Sequence, residues 1–116
     1  MKGGNYEKQQ IGGIFMKKKS GKLSTLERNR KSILTDDLEH CIICGKKRDH
    51  LHEIYEGKNR QNSMKYNCVL PLCYKHHILI HQDRKLSLIW KVKCQKEFEK
   101  TKSREAFISI FRRSYL

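Results

Sequence analysis

The sequence predicts a small α+β domain in which two short strands and a helix form a core and further helices follow. Alternating residues at positions 50–55 predict the first strand, and the apolar segment Val69–Leu72 predicts the second. Segments without helix breakers, with apolar residues at helical spacing, follow from position 74 onward. Short cysteine turns at residues 41–45 and 73–76 flank the strand pair, which predicts a metal ion that joins these elements.

Such a staple is expected because the chain is short and its apolar content is low. Of 116 residues, 37% are apolar and 33% are charged, which suits one domain with a tail. A core of this size is marginal without a metal or disulfides. No secretory signal and no apolar run of the roughly 18 residues that a membrane span needs are recognised. We therefore expect a cytoplasmic protein without a membrane partner, whose five cysteines stay reduced and favour metal over disulfides.

The charge balance predicts a polyanionic partner. Lys and Arg outnumber Asp and Glu by 26 to 12, a formal net charge of +14, which favours nucleic acid and salt-dependent binding. A solubilising surface or contact with an anionic membrane is the alternative. Residues 1–24 are glycine-rich and contain Lys17, Lys18 and Lys19 in a row. They predict a flexible basic arm, either a phosphate-contacting tail or an inert extension, ahead of a folded domain at residues 25–116.

The connections between the strands have local signals of their own. Gly45 ends the first cysteine turn, because glycine adopts a positive φ readily. Residues 57–67 are polar and predict a loop between the strands. Pro71 restricts the second strand to a sheet edge or a strand end, because proline has no N–H to donate.

Two further helices are expected after a break at residues 82–83. The first carries one apolar stripe, which should face the core and consists of Leu86, Ile89, Trp90, Cys94 and Phe98. Ser103 is a suitable N-cap for the second, which should bury Phe107, Ile110 and Phe111.

Four residues have the spacing of a structural zinc site. Cys41 and Cys44 form C-x-x-C, and Cys73 and His76 form C-x-x-H further along the chain. Two thiolate-containing turns that are distant in sequence suit tetrahedral Zn²⁺, and closing four ligands on the ion stabilises folding. A redox C-x-x-C is the alternative, but the βαβ pattern that normally surrounds it is missing. His77 or His40 remains an alternative fourth ligand.

The other cysteines and histidines predict two different environments. Cys68 and Cys94 lie outside the metal-binding turns and are expected to be buried free thiols. His77 and His81 are four residues apart and share a helix face, where two imidazoles can chelate a second metal ion. Surface histidines are the alternative, but the zinc would bring this helix to the strand that carries His52.

The chain resembles the HNH nucleases, a branch of the ββα-metal (His-Me finger) superfamily. The resemblance rests on Cys41-Ile-Ile-Cys44-Gly, on Leu51-His52-Glu53-Ile54, and on Leu72-Cys73-Tyr-Lys-His76-His77-Ile-Leu-Ile-His81. The motif core covers residues 41–81, followed by a helical part at 82–116. A closer likeness to small HNH-type proteins of phages and prophages implies a bacterial or phage-encoded protein.

The resemblance implies a zinc-stabilised ββα-metal fold and a DNA endonuclease. Its catalytic divalent ion, Mg²⁺, Mn²⁺ or a transition metal, would be bound by His52, His77 and His81, and Glu53 would take the place of the general base. The family's histidine base is absent here, so an alternative register makes His52 the base and moves metal binding to Glu53 or His50. Asn67 comes closest to the family's asparagine, with Asn59 and Asn62 as alternatives.

Two basic residues of the segment between the strands are candidate nucleic-acid contacts. Lys58 and Arg60 are expected to bind nucleic acid, Arg60 through a guanidinium fork that fits phosphate oxygens; a solvated loop charge is the alternative for Arg60. The partner is DNA or RNA, and the protein is a monomer or a homodimer. A non-catalytic, zinc-stabilised nucleic-acid-binding protein is the alternative function. A RING-type interaction domain needs eight interleaved ligands, which this chain lacks.

Overall fold

A computed structural model describes residues 21–116. Lys17, Lys18 and Lys19, and with them most of the predicted arm, lie outside the described residues. The first helix, α1, spans Gly21–Arg28, so the last four residues assigned to the arm at positions 21–24 are helical. Within the described part of the chain, no helix is both long enough and apolar enough to span a bilayer.

The remaining elements follow in the order strand, helix, strand and three helices. Their bounds are β1 His50–Glu53, α2 Arg60–Lys65, β2 Val69–Leu72, α3 Tyr74–Gln82, α4 Arg84–Thr101 and α5 Arg104–Phe111. A 3₁₀ turn, Gly57–Asn59, leads into α2. This mixture of helices with a small sheet confirms the predicted α+β class.

The two strands form one antiparallel hairpin on which the first cysteine turn rests. His52 lies opposite Leu70, and Leu51 lies opposite Pro71. The Ile42 backbone N–H donates to the Pro71 carbonyl at 3.0 Å, which docks the cysteine turn on the outer edge of β2. Pro71 therefore sits at a sheet edge, as predicted, because in a two-stranded sheet each strand has an unpaired side.

An aromatic cluster on α5 and the end of the β1 segment forms the centre of the core. The Tyr55 ring centroid lies 4.5 Å from that of Phe111, and Phe107 lies 4.8 Å from Phe111. The Tyr55 hydroxyl donates to the Lys91 carbonyl at 2.7 Å, which ties the hairpin to α4. Cys94 and Phe98 of the predicted stripe are buried, but Ile89 is 49% exposed and does not belong to it.

The connection between the strands is helical, so the predicted loop at residues 57–67 is wrong. Although this segment is mostly polar, one side of α2 is buried, where Ser63 and Met64 lie. The Ser63 hydroxyl donates to the Tyr55 carbonyl at 2.7 Å and accepts from the Tyr55 N–H at 3.0 Å. These tertiary hydrogen bonds stabilise a helix that the local sequence does not indicate.

The structure confirms two local predictions, the positive φ of Gly45 and the Ser103 N-cap. Gly45 has a φ of 80°, the left-handed region that favours glycine. The Ser103 hydroxyl accepts from the Ala106 N–H at 3.0 Å and caps α5. Both features depend on local hydrogen bonds and backbone angles, so the sequence alone predicts them.

Candidate metal centres

The two cysteine turns meet in one cluster. Cys41 begins a tight turn that closes with the Gly45 N–H donating to the Cys41 carbonyl at 2.8 Å. Cys73 is the N-cap of α3, and His76 lies on the first turn of that helix. The donor atoms of Cys41, Cys44, Cys73 and His76 all lie within 4.8 Å of one another.

The spacing of these donors fits a tetrahedral ion. The Cys44 and Cys73 sulfurs are 3.7 Å apart, and His76 Nδ1 lies 3.2 Å from the Cys73 sulfur and 3.7 Å from the Cys41 sulfur. With metal–sulfur bonds near 2.3 Å and metal–nitrogen bonds near 2.0 Å, tetrahedral edges are about 3.8 Å between sulfurs and about 3.5 Å between sulfur and nitrogen. The cluster is compatible with a structural metal ion.

The electrostatics of the thiols favour a bound cation. Burial raises the pKa of Cys41, but the backbone N–H groups of Cys73, Cys44 and Ile43 outweigh it and lower the pKa to about 6. The pKa of Cys44 is raised: the Lys46 N–H lowers it, but burial and the neighbouring sulfurs outweigh that effect. A second thiolate beside the first is therefore unfavourable until a cation neutralises the pair.

The alternatives for the fourth ligand lie elsewhere. His40 Nδ1 lies 2.9 Å from Asp37 Oδ2 on the surface, outside the cysteine cluster. His77 belongs to a second cluster, described next. His76 is thus the histidine that accompanies the three cysteines.

His52 of β1 and His77 and His81 of α3 form the second cluster. One ring nitrogen from each histidine lies within 4.8 Å of the others, and His77 Nε2 is 3.2 Å from His81 Nε2. This matches a tetrahedral nitrogen–nitrogen edge of about 3.3 Å. The His52 ring meets both helical rings edge-on, with centroids 5.4 Å from His77 and 5.1 Å from His81.

The surroundings of His52 and His77 favour the neutral imidazole, which is the form that binds metals. Burial, and after it the electrostatic effect of His81, lowers the pKa of His52 to about 4. Burial also lowers the pKa of His77, with His50 and His81 contributing. His52 is only 4% exposed and therefore stays neutral near pH 7, with a lone pair available for an ion.

The three histidines line a cleft of about 340 Å³ that Arg30, Glu53 and Arg60 also line. We call it the three-histidine cleft. Glu53 Oε2 accepts from Arg30 at 2.6 Å, and Glu53 Oε1 accepts from Arg60 at 3.2 Å. Arg60 also pairs with Glu27 at 2.8 Å, and that hydrogen bond raises its pKa. Sequence analysis did not find Arg30, because no local pattern marks an ion pair that only the tertiary fold creates.

The asparagines do not line this cleft. Asn67 has a φ of 63° and its carbonyl accepts from the Ile33 N–H at 2.9 Å, so it shapes the turn before β2. Asn59 and Asn62 donate side-chain N–H groups to the carbonyls of Phe111 and Ile110. The geometry gives the predicted catalytic role of Asn67 no support. Lys58 is exposed in a depression that adjoins the three-histidine cleft, because Gly57 and Arg60 line both.

No protein-family model matches the chain, and no curated protein or solved structure matches it either. The functional conclusion therefore depends on the chemistry of the two clusters and on the charge around them.

Proposed function

We propose that the protein is a metal-dependent endonuclease of the HNH type that hydrolyses DNA phosphodiester bonds. One observation carries the proposal: three imidazoles converge in a cleft that two arginines also line. A domain that only binds nucleic acid needs cations but has no need of a second cluster of metal ligands. The net charge of +14 supports a polyanionic substrate.

The first cluster acts as a structural zinc site in this proposal. Three sulfurs and one nitrogen suit Zn²⁺, and a closed four-ligand set leaves no position for substrate. The second cysteine turn leads into α3, which also carries His77 and His81. The first cysteine turn rests on β2. The zinc thereby helps to hold the helix against the hairpin that supplies His52.

The donor set of the second cluster favours a transition metal over Mg²⁺. Imidazole nitrogens suit Zn²⁺, Ni²⁺ and similar ions, whereas Mg²⁺ prefers carboxylate oxygens and water. A divalent ion bound by three ligands supplies Lewis-acid polarisation of a phosphoryl oxygen at the open position. His52 on the strand and the helical pair act as ligands in this scheme, which favours the register in which Glu53 is the base.

Glu53 and its two arginines supply the remaining chemistry. Both carboxylate oxygens of Glu53 hold guanidinium hydrogen bonds. These bonds stabilise the charged carboxylate, so Glu53 accepts a proton from the attacking water more readily once one of them breaks. A substrate phosphate competes for the same guanidinium groups, because their paired donors match its oxygens. Substrate binding by Arg30 and Arg60 would therefore release the base.

A plasmid-nicking assay tests the proposal. The protein is incubated with supercoiled DNA and Zn²⁺, Ni²⁺, Mn²⁺ or Mg²⁺, beside His77→Ala and the matched control His40→Ala, whose histidine lies outside both clusters. We expect transition-metal-dependent nicking that His77→Ala loses and His40→Ala keeps. Tight DNA binding without nicking in any metal would contradict the enzyme and leave the nucleic-acid-binding module.

A further inference from the structure

A second cleft, which we call the basic groove, opens beside the three-histidine cleft. It encloses about 480 Å³ between α4 and the C-terminal residues. Four cationic side chains line it: Arg84, Lys85, Lys91 and Arg113. They come from the start of α4, from its third turn and from the segment after α5, so the charge is gathered by the fold.

Most of this positive charge is not neutralised. Glu56, the acidic residue of the groove, pairs with Lys91 at 3.1 Å. Across residues 21–116, no carboxylate lies within ion-pairing distance of Arg84, Lys85 or Arg113. Asp83 already caps the N–H groups of Lys85 and Leu86, so the side-chain charges, and not the end of α4, would attract an anion.

The groove and the three-histidine cleft adjoin each other, because His81 and Glu56 line both. A polymer that occupies the metal-binding cleft and leaves it past His81 enters the groove directly. Each strand of a DNA duplex carries one negative charge per about 3.4 Å of the helix axis, so a strand on this path brings further phosphates to the lysines and arginines.

The C-terminal side of the groove is held in place before any ligand arrives. Gln95 is fully buried, and its side chain accepts from the Tyr115 N–H at 2.7 Å and donates to the Ser114 hydroxyl at 2.9 Å. The Arg113 guanidinium lies 4.5 Å from the centre of the Tyr115 ring. Ordering this segment in advance reduces the entropy that binding has to overcome.

We propose that the basic groove binds the backbone phosphates that lie on one side of the cleaved phosphodiester bond. This inference rests on the proposed function, because it takes the strand cut in the three-histidine cleft as the ligand. The groove contributes affinity and orientation, and the contacts are to phosphates, so they carry no sequence information.

The test measures binding of a fluorescent DNA duplex over a range of salt concentrations. It uses the His77→Ala background, in which the duplex is not cut. The groove variant carries Lys85→Gln and Arg113→Gln, and the control carries Lys100→Gln and Arg104→Gln, which removes the same two residue types. Lys100 lies about 22 Å along α4 from Lys85, and neither control residue lines the groove.

We expect the slope of log K against log salt to fall by about 2 in the groove variant and to stay unchanged in the control. Arg84→Gln alone should lower it by about 1. Equal slopes in the groove and control variants would overturn the proposal that the groove binds phosphates. Nicking by the unaltered protein would in that case still support the nuclease. A smaller slope confined to the groove variants, without nicking by the unaltered protein, would support phosphate binding by the groove and overturn the nuclease.

Discussion

Arg30 Nη1 lies 2.6 Å from Glu53 Oε2, and this ion pair joins the segment before the first cysteine turn to the strand that carries His52. The Glu53 side chain is 13% exposed, and Arg60 holds its second oxygen. Because the pair faces the three-histidine cleft, any change in Glu53 alters both a candidate base and the two guanidinium groups.

Glu53→Gln separates these two roles. Loss of a general base typically costs 10²–10⁴-fold in rate, so we expect kcat for nicking to fall by about 10²-fold or more, with bound metal unchanged. If Glu53 only holds Arg30 and Arg60 in place, the substitution would instead raise KM with little change in kcat. The measurement is steady-state nicking with metal analysis of the purified variant.

Glu97→Gln serves as the control, because Glu97 is also ion-paired, with Lys100, but far from the cleft. His52→Ala should lose the divalent ion of the three-histidine cleft and keep the structural ion of the cysteine cluster. If Glu53→Gln lost that ion and His52→Ala kept it, the register in which His52 is the base would be correct instead.

Cys41→Ser should abolish cooperative unfolding. Structural zinc supplies about 10–16 kcal/mol at pH 7, which is comparable with the whole stability of a small domain. Circular dichroism melts and metal analysis would follow the loss. Cys94→Ala is the matched control, since Cys94 is a buried free thiol outside the cluster. A cooperative, parent-like melt of Cys41→Ser would refute the structural role of the metal.

Ser63→Ala should lower the stability of the domain by about 1–3 kcal/mol, because it leaves the buried N–H and carbonyl of Tyr55 without their partner. The melting temperature is expected to fall by several degrees. Ser109→Ala, at an exposed position of α5, should change it little. Equal melting temperatures for the two variants would show that the hydroxyl does not stabilise α2.

Much of the fold was predictable because its signals are local. The strand at Val69–Leu72 follows from a short apolar run, the helix that begins at Tyr74 from the absence of helix breakers, and the Ser103 cap from capping chemistry. The cysteine turns were recognisable from residue type and spacing alone, because a tight turn brings Cys41 and Cys44 together in any fold that contains it.

The sequence by itself determined which residues can bind metal and which segments can be strands or most of the helices, because neighbouring residues decide turns, caps and periodicity. Only the tertiary structure decided that residues 60–65 are helical, that Ile89 faces solvent, that Asn67 lies away from the cleft, and that Arg30 reaches Glu53. The helix at residues 60–65 depends on the buried Tyr55 backbone, and the position of Arg30 depends on a carboxylate across the cleft. No local pattern encodes such a partner.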